Sequence, residues 1–169
     1  MTKKFAHWLA LAAGLYVLQS ALLPYISYHG VGADLLLLMT LSFSFLRGGQ
    51  MGAFTGFLLG LMQDLATGTF FGINTFCKMV LGYLCGKFAN NVFRDQPFLP
   101  ILVALAGTTA NYCLFVVIML LMGYRFYLIR DLQYVLLPML CYHVLLAYPV
   151  YYIVSLTNER TQDKKGRNA

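Results

Sequence analysis

FLPILVALAGTTANYCLFVVIMLLM, residues 98–122, runs for 25 positions without a charged side chain. A helix rises about 1.5 Å per residue and the hydrocarbon core of a bilayer is roughly 30 Å thick, so about 20 apolar residues span it. The stretch is long enough and carries no charge that would resist burial in lipid. Segments of the same character surround it: Phe5 to Leu23, Ala33 to Leu46, a third from the turn Arg47-Gly48-Gly49-Gln50 to Ala66, then Phe70 to Phe88, and finally Gln133 to Leu156. Gly- and Pro-bearing connections separate them, among them Pro24–Gly32, Thr67–Thr69 and Gly123–Leu132. The pattern predicts an all-α integral membrane protein, a compact bundle of about six transmembrane helices over residues 1–157 with a polar cytoplasmic tail at 158–169.

Two segments are irregular. Ala33 to Leu46 offers only about 21 Å of helix, so it must borrow flanking residues or thin the bilayer locally. Pro138 removes an amide hydrogen from the last segment and is placed to kink it.

The rest of the composition agrees. Of 169 residues, 60% are hydrophobic and 11% charged, whereas a soluble domain carries about 25% charged residues and can cover itself with them. The formal net charge of +6 does not indicate nucleic acid, because the basic residues stand singly between apolar segments or in the tail. Their distribution reads as orientation instead. Lys3, Lys4, Arg47, Lys87, Arg94, Arg160, Lys164, Lys165 and Arg167 fall on one side, and only Arg125 and Arg130 on the other, so both termini are expected in the cytoplasm. Tyr25, Tyr28, Tyr124, Phe126 and Tyr127 fall at the outer boundary, and Trp8 suits an interfacial anchor in the first segment. Lys3 and Lys4 before an apolar run have the outline of a secretory signal, but the later segments are equally apolar, which favours an uncleaved first span. The tail is expected to be solvated and disordered. Cys77, Cys85, Cys113 and Cys141 sit within apolar segments without a CxxC pair and are expected to be buried reduced thiols.

Candidate contact residues cluster in segments three and four. Gly52, Gly56, Gly60 and Asp64 recur every four residues and share one helical face. Such a stripe lets another backbone approach closely, either a neighbouring helix of the chain or a helix of another protein. Segment four repeats the theme with Gly72, Gly82 and Gly86, and carries Lys78. A lysine within a span needs a partner or a path to water. Asp34 and Asp64, near the outer ends of their segments, are the available carboxylates, with Asp64 preferred because segments three and four are consecutive. Snorkelling to the headgroups is the alternative, and one lysine with two boundary carboxylates makes a thin proton relay. Thr108, Thr109 and Asn111 suit interhelical hydrogen bonds. His7, His29 and His143 are scattered, neither GxxxxGK[ST] nor GxGxxG occurs, and no Ser or Cys stands in a nucleophile motif, so no catalytic residue, metal or cofactor is expected.

The run Asp34-Leu-Leu-Leu-Leu, Arg47-Gly-Gly, Gly52, Gly56-Phe-Leu-Leu-Gly60-Leu-Met-Gln-Asp64, Gly68, Phe71-Gly72-Ile-Asn, Gly82-Tyr83 and Gly86 resembles the rod shape-determining MreD family. The likeness covers about a third of the chain, and Ala33 stands where many members carry proline. It implies a non-enzymatic scaffold subunit of the bacterial cell-elongation machinery in the inner membrane, in contact with membrane lipids. Its partners would be an MreC-like bitopic protein, with an MreB-like filament and the transmembrane cell-wall synthases of peptidoglycan synthesis beside it. The family is also distantly similar to the substrate-binding membrane subunits of energy-coupling-factor vitamin transporters. That supports a compact six-helix fold and supplies the alternative function, small-molecule uptake.

Overall fold

A computed structural model describes residues 2–21, 23–27, 30–68, 71–89, 98–124 and 132–166. Their regular structure is helical: α1 (Thr2–Ala21), a single turn α2 (Leu23–Ile26), α3 (Leu35–Arg47), α4 (Gly49–Thr67), α5 (Ile73–Ala89), α6 (Leu99–Leu121) and α7 (Leu137–Gly166), the last preceded by a π-helical turn at Leu132–Leu136. The six long helices correspond to the six apolar segments. Three stretches, His7–Ile26, Leu99–Leu121 and Leu132–Asn158, are long and apolar enough to cross a membrane.

The short second segment is where the architecture is decided. α3 has 13 residues, and Leu35 through Phe45 are all buried. A helix that is apolar on every side has no face to give to water and belongs in the interior. α3 accordingly lies at the centre, in contact with α1, α4, α5, α6 and α7. Its neighbours sheathe it on all sides. The half-buried Trp8 ring of α1 meets Phe43 of α3 edge-on, with centroids 4.6 Å apart. α7 secures α3 at the far end, where the Arg47 guanidinium donates to Asn158 Oδ1 at 2.5 Å.

Helix boundaries follow local chemistry. One residue, Gly48, separates α3 from α4, and its φ of 88° is a conformation that a β-carbon would strain. Gly68 ends α4 in the left-handed region, its N–H donating to the Asp64 carbonyl at 3.0 Å. Pro138 cannot donate to the carbonyl four residues back, and the π turn lies immediately before it.

Two expectations are corrected. The tail is helical through Gly166, because between Pro149 and that glycine the sequence has no helix breaker and is rich in Glu, Gln, Lys and Arg. Cys113 and Cys141 are exposed on outward helix faces, while Cys77 is buried and Cys85 partly so; all four are free thiols. Tyr25 and Tyr124 are exposed at the ends where the outer boundary was expected. Tyr28, His29, Arg94, Arg125, Phe126, Tyr127, Arg130 and Arg167 lie outside the described residues.

Candidate functional site

The glycine stripe is the seam between α4 and α5. A β-carbon at Gly56 would stand 2.6 Å from the Lys78 carbonyl carbon, and one at Gly60 would stand 2.6 Å from the Asn74 carbonyl oxygen. Gly82 and Gly86 answer from α5, where added carbons would fall 2.7 Å from the Gly52 carbonyl carbon and 2.6 Å from the Gly49 Cα. Gly52 also faces Ser44 of α3, whose hydroxyl donates to the Gly82 carbonyl. Backbone meets backbone along the whole seam. α5 therefore occupies the face that the sequence alone left open to a helix of another protein. Gly72, with φ 96°, belongs to the turn before α5 rather than to the seam.

Asp64, at the end of the stripe, closes the start of α5. Its carboxylate accepts from the backbone N–H groups of Gly72, Asn74 and Thr75 at 3.0, 3.2 and 2.9 Å, from the Thr75 hydroxyl at 2.5 Å and from the Asn74 amide at 3.0 Å. The first turn of a helix has unpaired N–H groups and a positive dipole end, and this carboxylate satisfies both.

That arrangement corrects the preferred partner of Lys78. With Asp64 committed to α5, the ammonium points across to α3 and pairs with Asp34 Oδ2 at 2.6 Å. Lys78 has no exposed surface and Asp34 retains 8%. Snorkelling is excluded by the same geometry.

Asp34 is the hub of a wider polar centre. As N-cap of α3 it accepts from Leu37 N at 2.8 Å, while its own N–H donates to His143 Nε2 at 2.8 Å. His143 is fully buried, and its Nδ1 lies 2.5 Å from the Thr108 hydroxyl, which itself donates to the Ala104 carbonyl at 2.6 Å. With Nε2 accepting, Nδ1 carries the proton and donates to Thr108, so the ring is neutral and both nitrogens are used. The threonine hydrogen is spent on a carbonyl, so this is a structural relay rather than a nucleophile beside a base. Gln19 of α1 accepts from Leu35 N at 2.9 Å, and Gln63 of α4 approaches Asp34 Oδ2 at 3.4 Å. Five helices besides α3 thus send side chains to one helix end.

Above this centre, on the side of the Pro24–Gly32 connection, lies a cavity of about 610 Å³. Gln19, Asp34, Gln63, Asn74 and Asn111 line it with polar groups, and Phe115, Val135 and Met139 with apolar ones. No group of three or more metal-ligating side chains occurs among the described residues.

The sequence named Asp34, Asp64, Lys78 and the glycines Gly52, Gly56, Gly60, Gly82 and Gly86 of the seam, and the structure brings Lys78 and Asp34 together while setting Asp64 apart. Gln19, Gln63 and His143 were missed as parts of one centre. Their signal was polarity inside apolar segments, which says that a partner exists without naming it.

Against families of known proteins, the chain matches one described as rod shape-determining protein MreD, over residues 2–158. No curated protein and no solved structure matches it.

Proposed function

The chain belongs to the MreD family of rod shape-determining proteins, and from that membership we propose that it acts as a non-enzymatic membrane scaffold of the bacterial cell-elongation machinery. Its task in this reading is to hold an MreC-like bitopic partner and to help control lateral cell-wall synthesis by the transmembrane synthases alongside an MreB-like filament. The polar centre supports binding over catalysis. Lys78, Asp34, His143 and Asp64 are each engaged in bonds that tie one helix to another. A reactive site needs at least one such group held in reserve. α1 and α6 keep most of their apolar span uncovered, which leaves two long faces for lipids and for neighbouring transmembrane helices.

Depletion of the protein in a rod-shaped host tests this directly. Cells are expected to round or widen, with no prior loss of vitamin uptake. Retention of a normal rod shape after verified depletion, in a strain with no second copy, would sink the scaffold role. The cavity favours a second reading, a subunit that captures a small molecule, and rescue of depleted cells by an added vitamin would promote it.

The proposed orientation places the chain as a six-crossing protein of the inner membrane with residues 1–157 in the bilayer region and both termini in the cytoplasm. In a cysteine-free background, a thiol introduced at Tyr127 should react with an impermeant maleimide on intact cells, and one at Asn168 only after lysis. The reverse pattern would invert the topology.

A further inference from the structure

Four carboxamide side chains, from four different helices, meet in the cavity above the polar centre: Gln19 of α1, Gln63 of α4, Asn74 of α5 and Asn111 of α6. Their hydrogen-bonding capacity is only partly used. Gln19 spends its oxygen on Leu35 N, which leaves its amide hydrogens. Asn74 spends amide hydrogen on Asp64, which leaves its oxygen. Gln63 Oε1 is buried and has no hydrogen-bond partner. Asn111, half-buried in the middle of the most apolar helix, has no partner among the described residues. A carboxamide has two donors and an acceptor with two lone pairs, so these four residues, which line one space, keep unspent capacity of both signs. Buried polar groups are paired in nearly all native proteins, and Gln63 Oε1 is left without a partner beside a cavity that three further carboxamides line.

Charge and shape narrow the class. Asp34 is the one charged side chain among the described residues of the lining, and Lys78 beneath it neutralises that charge. An anionic group would meet no cation among the described lining residues, and a cation would have to compete with a lysine 2.6 Å from the same carboxylate. The walls away from the amides are apolar, formed by Phe115, Val135 and Met139. A volume of about 610 Å³ is that of an ordinary small-ligand site.

We propose that this cavity binds a neutral, sugar-sized group rich in hydroxyl and amide functions, either a free saccharide or the sugar headgroup of a membrane lipid. The carboxamides pair with the hydroxyls and amides, while the apolar wall takes the carbon face of the ring. The site is independent of the scaffold reading, since it requires no protein partner.

The test uses the full chain in phosphatidylcholine nanodiscs. In one arm, N,N′-diacetylchitobiose is titrated by calorimetry. In the other, nanodiscs containing digalactosyl diacylglycerol are analysed by native mass spectrometry for retained lipid, with phosphatidylglycerol as the anionic control. Saturable binding in the first arm identifies a free saccharide, and selective retention in the second identifies a lipid headgroup. Asn111→Leu removes an amide that no described residue uses, so its melting temperature should match the parent while affinity or retention falls at least tenfold. Gln63→Leu should behave alike in binding. Absence of binding in both arms, equal binding by Asn111→Leu, or equal retention of phosphatidylglycerol would overturn the proposal.

Discussion

Lys78→Met is expected to lower the stability of the folded bundle by about 3–5 kcal/mol, and adding Asp34→Asn in the same chain should return a large part of that loss. The ammonium and carboxylate are 2.6 Å apart in the interior, so each is the other's compensation for lost solvation. Removing the lysine leaves a carboxylate that still accepts from Leu37 N at the positive end of α3. Removing the carboxylate instead leaves a fully buried ammonium, and no other carboxylate among the described residues pairs with it. Asp34→Asn alone should therefore be the more damaging single change, although asparagine is itself a good N-cap. Reversible unfolding in mixed micelles reads all four members of the cycle. Additive losses would deny the coupling. The parallel cycle between Lys78 and Asp64 should be additive, because that carboxylate serves α5.

An equally large effect is expected at Gly56. Its Cα faces the backbone of Lys78 directly, so an added methyl group meets a carbonyl and cannot be accommodated by a side chain turning away. Overpacking of this kind costs about 1–3 kcal/mol for Gly56→Ala. Gly56→Leu should exceed that range and remove the monodisperse folded species altogether. Leu58→Ala, at a half-buried position two residues on, serves as the control and should cost no more than about 1 kcal/mol. Size-exclusion profiles and melting curves of the three variants decide the matter. A well-behaved Gly56→Leu protein with the parent's melting temperature would refute the close seam.

The helices were legible in the sequence because apolar length is a one-dimensional property. Residues 98–122 needed nothing from elsewhere in the chain to be read, and α6 occupies Leu99–Leu121. The glycine seam was legible for a related reason, since a spacing of four places residues on one helix face whatever the partner. What faced that stripe was a different question, and α5 answered it. The charge pair was misassigned because proximity along the chain outweighed local capping. Asp64 is near Lys78 in sequence, yet the unpaired N–H groups of Gly72, Asn74 and Thr75 are nearer to its carboxylate and more numerous. His143 was invisible as a partner because Asp34 lies 109 positions away, and no spacing rule reaches so far. The tail was misread because polarity was taken as disorder, although its residue types also favour a helix.

The central helix also constrains the order in which the protein can be completed. α3 has 13 residues, shorter than the about 20 that span a bilayer unaided, and Leu35 through Phe45 are all buried within the bundle. His143 holds its N-cap residue Asp34 and Asn158 holds Arg47 at its other end, both from α7. A ribosome delivers α3 long before either residue exists. Until α7 enters the membrane, the Asp34 N–H waits without its acceptor, and the apolar surface of α3 needs shelter from the insertion machinery or from α1 and α4. Closure of the core therefore awaits α7, which supplies both His143 and Asn158.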